Sequence, residues 1–521
     1  MSETPALRLT NTLRREVETI EPAASGPDGR PLLRFYSCGP TVYSYAHIGN
    51  FRTFLTADLV VRTARALGWD VRYVSNVTDV GHLTEDDVAD GGGEDKMAKA
   101  LASKEGERFE NVWDLARHYT EALLADWRAL GMIEPDVRPR ATEHVREQIQ
   151  AVQDLIEADH AYETADGVYF HVPSFPDYGK LSGNRDAEGL VEGAASASRE
   201  VVRDTGKRDP RDFALWKKDA SHLMQWHSPF AEGEAGGWGF PGWHLECSVM
   251  AQKYLGETID LHGGGEDLRF PHHECEIAQA EALTGQPFSR YWMHTRFLQV
   301  EGEKMSKSKG NFLTVRDLTA SVADGGREDW GAPVDPLALR TVLISGQYAK
   351  PFNFTRKALD DARKNRRRYV EALAAVAEAE TAPRDGADRL GDDLAAAVAD
   401  ALAALADDLN TPVALAAGLR GANAILKAHR DTSLSTSEAA AARRFLERID
   451  ALLGIVGTEA EAPPEAADDG LAEQVEALIV ERADARAAKD WPRADEIRDE
   501  LDALGVEVMD TASGTEWRRK P

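Results

Sequence analysis

The apolar positions of the chain change period repeatedly along its first third. Residues 32–37 (LLRFYS) form a short apolar run of the kind a buried strand shows, and Cys38-Gly39-Pro40 breaks it. From 49 to 67, Phe51, Phe54, Leu55 and Leu59 recur at helical spacing, which predicts an amphipathic helix stopped by Gly68. A second strand is expected over 70–78 (DVRYVSNVT). Strand, helix and strand make a βαβ unit, so a parallel sheet is the expected frame. Gly91-Gly92-Gly93 among acids predicts a flexible loop, and 107–130 a helix.

Over 135–218 the pattern turns irregular, with Pro, Gly and Asp punctuation and short strands such as 167–172, and it is read as an insertion. An αβα stretch follows: a helix over 241–254, a strand over 258–262, a loop at Gly263-Gly264-Gly265, and a helix from Pro271 to Gly285. Beyond about 350 come long alanine-rich helical segments (355–380, 388–408, 412–429 and 437–453), which predict a bundle. The acidic, proline-containing stretch 458–470 is read as a linker to a small tail.

Composition narrows the class. The chain has 521 residues, too many for one core, and at 43% hydrophobic and 29% charged it is globular. It shows neither a run near the ~18 apolar residues of a membrane helix nor the apolar core of a secretory signal. Three cysteines, an odd number, suit a reducing compartment, so a cytoplasmic protein is expected. The net charge of −28 argues against unspecific attraction to nucleic acid or an acidic membrane. Local basic patches remain at Arg363–Arg368, Lys304–Lys309 and Arg518-Arg519-Lys520, although such runs are more often solvated faces.

Three groups of residues carry chemistry. In the segment from Pro40 to Asn50, a strand ends and His47 and Asn50 stand where a helix begins. Unpaired backbone N–H groups there favour a phosphate, and Gly49 lets a ligand approach, though a capping histidine is the commoner use. Downstream, Lys304-Met305-Ser306-Lys307-Ser308 offers two cations and hydroxyl donors to a triphosphate. The third group gathers the cysteines. Cys38 ends the first strand, Cys247 lies in a helix, and Cys275 lies in the run His272-His273-Glu274-Cys275-Glu276. His272 and Glu276, four apart on a helix, share a face, so two thiolates, an imidazole and a carboxylate could make a tetrahedral zinc set. Spacing does not choose between His272 and His273, nor exclude Cys275.

The pair of segments resembles the HIGH and KMSKS signatures of class I aminoacyl-tRNA synthetases, with Asn50 where the second His of HIGH stands. The strings CGPTVY, NVTD, KRDP-DFALWK, PGWH-ECS, HGGG-DL-FPHHE-E, KMSKS-GNF and the closing G-T-WRRK resemble the cysteinyl-tRNA synthetases along nearly the whole chain. That resemblance implies an α/β fold: a Rossmann-like parallel-sheet catalytic domain split by an insertion, then an α-helical bundle and a small C-terminal α+β domain. The implied divisions are catalytic halves at 1–130 and 223–298, a connective insertion at 131–222, a KMSKS and stem-contact region at 299–350, a tRNA-binding bundle at 351–457, a linker at 458–470 and an anticodon-binding domain at 471–521.

The resemblance also implies one zinc per chain, held by Cys38, Cys247, His272 and Glu276. Gly39, Thr78, Trp243 and His262 would surround L-cysteine, and Trp243, one helical turn before Cys247, can share its pocket. Pro40, Thr41, His47, Gly49, Asn50, Lys304, Ser306 and Lys307 would bind ATP, supplied with Mg2+ as substrate. His47, Asn50, Lys304 and Lys307 would relieve developing phosphate charge as cysteinyl-adenylate forms. Zinc would grip the substrate thiolate, where a pocket alone rejects a near-isostere by only about a hundredfold. Cys275, where the family more often has asparagine, is expected to be a free reactive thiol. The implied partner is tRNA(Cys), met by the Arg363–Arg368 run and by Trp517 beside Arg518, Arg519 and Lys520. A monomer away from membranes is expected. The alternative is a paralogous ligase joining cysteine to a small amine.

Overall fold

Strand β1, Pro31–Ser37, is the centre of the architecture, with Leu33, Phe35 and Tyr36 fully buried. The computed structural model describes residues 5–81, 95–184, 206–306 and 309–458, scattered positions between 478 and 501, and the backbone of two tail strands. From β1 the chain enters helix α1, Ile48–Ala66, and returns as strand β2, Asp70–Ser75, parallel to β1. Helix α2, Val112–Ala129, follows. The sheet resumes with helix α3, Trp243–Leu255, strand β3, Ile259–Gly265, helix α4, His272–Thr284, and strand β4, Ser289–Thr295. The parallel order is β4-β3-β1-β2. The fold is α/β and Rossmann-like.

Two expectations need correction here. Gly263-Gly264-Gly265, read as a loop, are the last three residues of β3, pairing with Met293, His294 and Thr295. They are glycine because neighbours crowd that end: a Cβ on Gly264 would lie 2.7 Å from the His273 ring. The region read as irregular holds a helix, Val145–Glu157, and a five-stranded antiparallel sheet. That sheet runs Ala161–Glu163, Gly167–Phe170, Phe213–Lys218, Trp238–Pro241, Trp226–His227, so its strands extend past residue 222. The short strand expected over 167–172 is present as Gly167–Phe170 and is buried throughout.

Helix α5, Pro336–Leu343, leads into the bundle of α6, Arg356–Thr381, α7, Gly391–Ala406, α8, Thr411–Thr432, and α9, Thr436–Leu453. One apolar core runs from α1 through α5 into these four helices. A polar knot crosses it. Arg340 on α5, with no exposed side-chain surface, pairs with equally buried Asp58 of α1. Its Nε donates to Leu453 O at 2.6 Å and its Nη1 to Leu130 O at 3.0 Å, reaching the ends of α9 and α2. Burial would raise the Asp58 carboxyl, but the Arg340 and Arg62 charges hold it below its ordinary value. Such a pair adds little net stability, yet losing one partner strands a buried charge.

Of the basic run on α6, Arg363 donates to Ala332 O at 2.5 Å, and Arg366 donates to Val456 O at 3.0 Å while pairing with Asp335 at 2.9 Å. These two are struts between elements, which leaves the expected phosphate contacts to the exposed Lys364, Arg367 and Arg368.

The chain divides into two compact units, Met1–Gly457 and Thr458–Pro521. In the second, Val506–Thr511 and Gly514–Arg519 pair as an antiparallel hairpin, and Ile497 and Leu501, four apart, are buried. The expected Gly91–Gly93 loop, the linker beyond Thr458 and the side chains from Trp517 to Lys520 lie outside what is described. No helix among the described residues is long and apolar enough to cross a membrane.

Candidate functional site

The chain leaves β1 toward β2 on one side and leaves β3 toward β4 on the other, so a crevice opens beyond the carboxyl ends of β1 and β3. Cys38 N donates to Gly263 O at 3.1 Å across that point. The segments following β1 and β2 then zip together. Gly39 N donates to Asn76 Oδ1 at 2.8 Å, and Thr78 N to Pro40 O and Val42 N to Thr78 O, each at 3.1 Å. Asn76 Nδ2 fixes the Thr78 hydroxyl at 3.1 Å, and Thr41 bridges Thr78. Only glycine fits at 39, since a Cβ would fall 1.6 Å from Asn76 O.

Into this crevice α3 and α4 each deliver residues four apart. Donor atoms of Cys38, Cys247, His272 and Glu276, all buried, lie within 4.8 Å of one another. Cys38 Sγ is 3.6 Å from Cys247 Sγ and from Glu276 Oε1, and His272 Nε2 is 3.0 Å from Glu276 Oε1. Two sulfurs, one nitrogen and one oxygen match a zinc-type ligand set. An overlapping set, Cys38, His262, His273 and Glu276, meets the same distance limit. There His273 Nε2 lies 3.4 Å from Cys38 Sγ, and His262 Nε2 lies 2.9 Å from Glu276 Oε2. Trp243 stacks on His272 with ring centres 4.2 Å apart, and His262 on Trp292 at 4.4 Å.

The buried donors shift one another's protonation strongly. Burial pushes the Cys38 thiol up, and the nearby Cys247 adds to that. Cys247 feels the same burial, yet hydrogen bonds from Cys38 and His272 help bring it down to about 6. Glu276 falls to about 2 against burial, because His262 and His272 face it. His272 rises to about 10, its burial overcome chiefly by the Glu276 charge. Two sulfurs, an imidazole and a carboxylate turned to one buried point are the donor chemistry of a thiophilic metal site, so the residues present fit a metal ion.

At the mouth, His47 is the N-cap of α1, and its segment lies against the residues after the lysine-serine loop. His47 bridges Thr314, Ile48 N donates to Leu313 O at 2.9 Å, and the His47 and Phe312 rings are 5.1 Å apart. Met305 reaches within 3.0 Å of where a Gly49 Cβ would be. Exposed Lys304 ends the short strand Glu303–Lys304, and Asn311 ties the loop by accepting from Ser306 N at 2.8 Å and donating to Lys304 O at 3.2 Å. Lys307 lies outside the described residues.

Cys275 is not the reactive thiol expected. It is fully buried with Sγ 3.6 Å from the Tyr178 hydroxyl, and belongs to neither donor set. Burial denies it a reagent.

The sequence reading passed over other residues. His273 Nδ1 is 2.8 Å from His294 Nε2, whose other nitrogen is 2.8 Å from Thr12 Oγ1. Trp292 and His294, two apart on β4, share a face, which is the periodicity that could have revealed them. Glu246, one residue before Cys247, is fully buried. Burial, then the nearby Cys247 and Asp79, raise its carboxyl well above the ordinary range.

Comparison with known proteins gives the chain a family context. Residues 28–364 match the model described as tRNA synthetases class I (C) catalytic domain, and 468–518 match the cysteinyl-tRNA ligase anticodon binding domain. A cysteine–tRNA ligase of Salinibacter ruber is 56% identical over 508 residues, covering 95% of this chain and 94% of that protein. One from Deinococcus radiodurans is 41% identical, covering 95% and 93%. Among solved structures, a Mycobacterium tuberculosis methionyl-tRNA synthetase in complex with methionyl-adenylate shares the fold at a TM-score of 0.54 and 15% identity, covering 81% of this chain and 92% of that one. The Agrobacterium radiobacter LeuRS in a ternary complex gives 0.56 at 11% identity, covering 84% and 85%.

Proposed function

This chain belongs to the cysteine–tRNA ligase family of class I synthetases, and we propose that it activates L-cysteine with Mg-ATP and passes the cysteinyl group to the terminal adenosine of tRNA(Cys). The observation that carries the reading is the Cys38–Cys247–His272–Glu276 cluster at the crevice where the two nucleotide-facing segments meet. A zinc ion there would supply a soft Lewis acid that favours a thiolate over a hydroxyl. Gly39, Thr78, Trp243 and His262 form the amino-acid walls, and Pro40, Thr41, Gly49 and Ser306 line the nucleotide side.

In the first step a cysteine carboxylate oxygen attacks the α-phosphorus, the bond to the bridging oxygen breaks, and pyrophosphate leaves. The chain's task is positioning and relief of negative charge rather than covalent chemistry. His47 and Asn50 act from the start of α1, and Lys304 and Lys307 act from the loop. In the second step a hydroxyl of the terminal adenosine attacks the carbonyl carbon and AMP leaves. The bundle at 351–457 and the tail at 471–521 hold the tRNA, and the enzyme works as a cytoplasmic monomer. The small-amine alternative is not favoured, because an anticodon-binding match occupies the tail.

Cysteine-dependent pyrophosphate exchange, with serine as control, followed by transfer to tRNA, tests the proposal. Exchange without transfer would restore the small-amine reading. Absence of exchange would overturn both.

A further inference from the structure

The crevice contains one buried acid that the mechanism leaves unused. Glu246 has no exposed surface, neither of its carboxylate oxygens meets a donor at full hydrogen-bond geometry among the described residues, and the Thr78 hydroxyl is the donor that faces it. Its Oε1 lies 2.9 Å from where a Cβ on Gly81 would stand, a point also 2.8 Å from Pro241 O and 3.7 Å from Trp243 N. The acid therefore sits between the first turn of α3 and the end of the segment following β2. Its sequence neighbour Cys247 is a metal donor, and Trp243 and Thr78 belong to the proposed amino-acid pocket.

An enclosed acid short of donors is costly to ionise, and a positively charged donor arriving from outside would offset that cost. Its neighbours are already committed. Asp79 accepts from Thr142 N at 3.0 Å and from Thr142 Oγ1 at 2.8 Å. Glu276 is held by His262 at 2.9 Å and His272 at 3.0 Å. A thiol-bearing α-amino acid must be recognised at three points: thiol, carboxylate and ammonium. The ammonium brings three N–H donors and no acceptor. Resting on the reading of cysteine as substrate, we propose that Glu246 accepts hydrogen bonds from the α-ammonium group. It thereby distinguishes an α-amino acid from other small thiols.

The test compares L-cysteine with 3-mercaptopropionate, which keeps the thiol and carboxylate but lacks the amino group. Binding to the metal-loaded, full-length enzyme is read by calorimetry, and metal content is measured alongside. The wild type should bind cysteine on the order of 100-fold more tightly than 3-mercaptopropionate, the range of a charge-assisted hydrogen bond to a buried group. Glu246→Gln should erase most of that gap by weakening cysteine alone, with metal content unchanged. Should the Gln variant fail to fold, Glu246→Asp makes the same comparison and should lose part of the gap. Equal weakening of both ligands, or a wild type indifferent to the amino group, overturns the proposal. A wild type that binds neither ligand overturns the underlying substrate reading instead.

Discussion

His47 and Asn50 cap each other. His47 Nδ1 accepts from Asn50 N at 3.1 Å, while Asn50 Oδ1 accepts from His47 N at 3.0 Å, a reciprocal box at the first turn of α1. Because Nδ1 accepts, the neutral ring carries its proton on Nε2, which is the donor the proposed phosphate contact needs. Asn50 likewise keeps its Nδ2 donor while its oxygen serves the helix. An amide meets both demands at this position.

Asn50→Asp separates the two duties. The carboxylate still accepts from His47 N and suits a helix N-terminus, so stability should change by no more than about 1 kcal/mol. Replacing a donor by a negative charge should slow cysteine-dependent pyrophosphate exchange by roughly 100- to 1000-fold. A variant with normal exchange would remove Asn50 from the phosphate's surroundings.

The two overlapping donor sets predict different dependencies on histidine. If Cys38, Cys247, His272 and Glu276 hold the ion, Cys247→Ser and His272→Ala should each strip zinc from the purified protein, while His273→Ala should retain it. Metal analysis decides, and the opposite pattern for the two histidines would move the ion toward His262 and His273.

Asp126 on α2 should make stability fall as pH rises. Burial lifts its carboxyl to about 6 despite Arg316 at 3.2 Å. The folded protein therefore holds a proton that the unfolded chain releases near pH 4. The stability from that proton is complete below about pH 4 and is lost as pH climbs through 6. Asp126→Asn should gain on the wild type across this window, by roughly 3 kcal/mol at pH 7. Denaturant midpoints at the two ends of the window check it, and a constant difference would refute it.

Ending the chain after Gly457 removes the second compact unit. Exchange should persist, while tRNA charging should drop by about 100-fold or more through loss of a second contact. Parallel losses in both assays would mean that the tail supports the catalytic unit rather than the RNA.

The limits of sequence reading follow from what each residue depends on. The helix ends at Gly68 and Gly285 were legible because a stop residue acts locally. Helix Val145–Glu157 was missed although Val145, Ile149, Val152 and Ile156 recur at helical spacing, since Pro and Gly nearby suggested irregularity. Gly263–Gly265 misled because glycine usually breaks strands, and here it clears room for His273, which lies further along the chain. Cys275 looked reactive beside the histidines, but Tyr178 and the surrounding apolar residues that enclose it belong to other segments. Glu246 carries no sequence signal of its own beside Cys247, because its enclosure is a three-dimensional property.

Arg340 has a mechanical consequence. One guanidinium grips the middle of α1 through Asp58 and the last turn of the bundle through Leu453. The rod whose first turn presents His47 is thereby pinned to the helices expected to bear RNA. A displacement of those outer helices would strain this knot unless α1 moved with them, which couples the bundle to the helix that His47 caps.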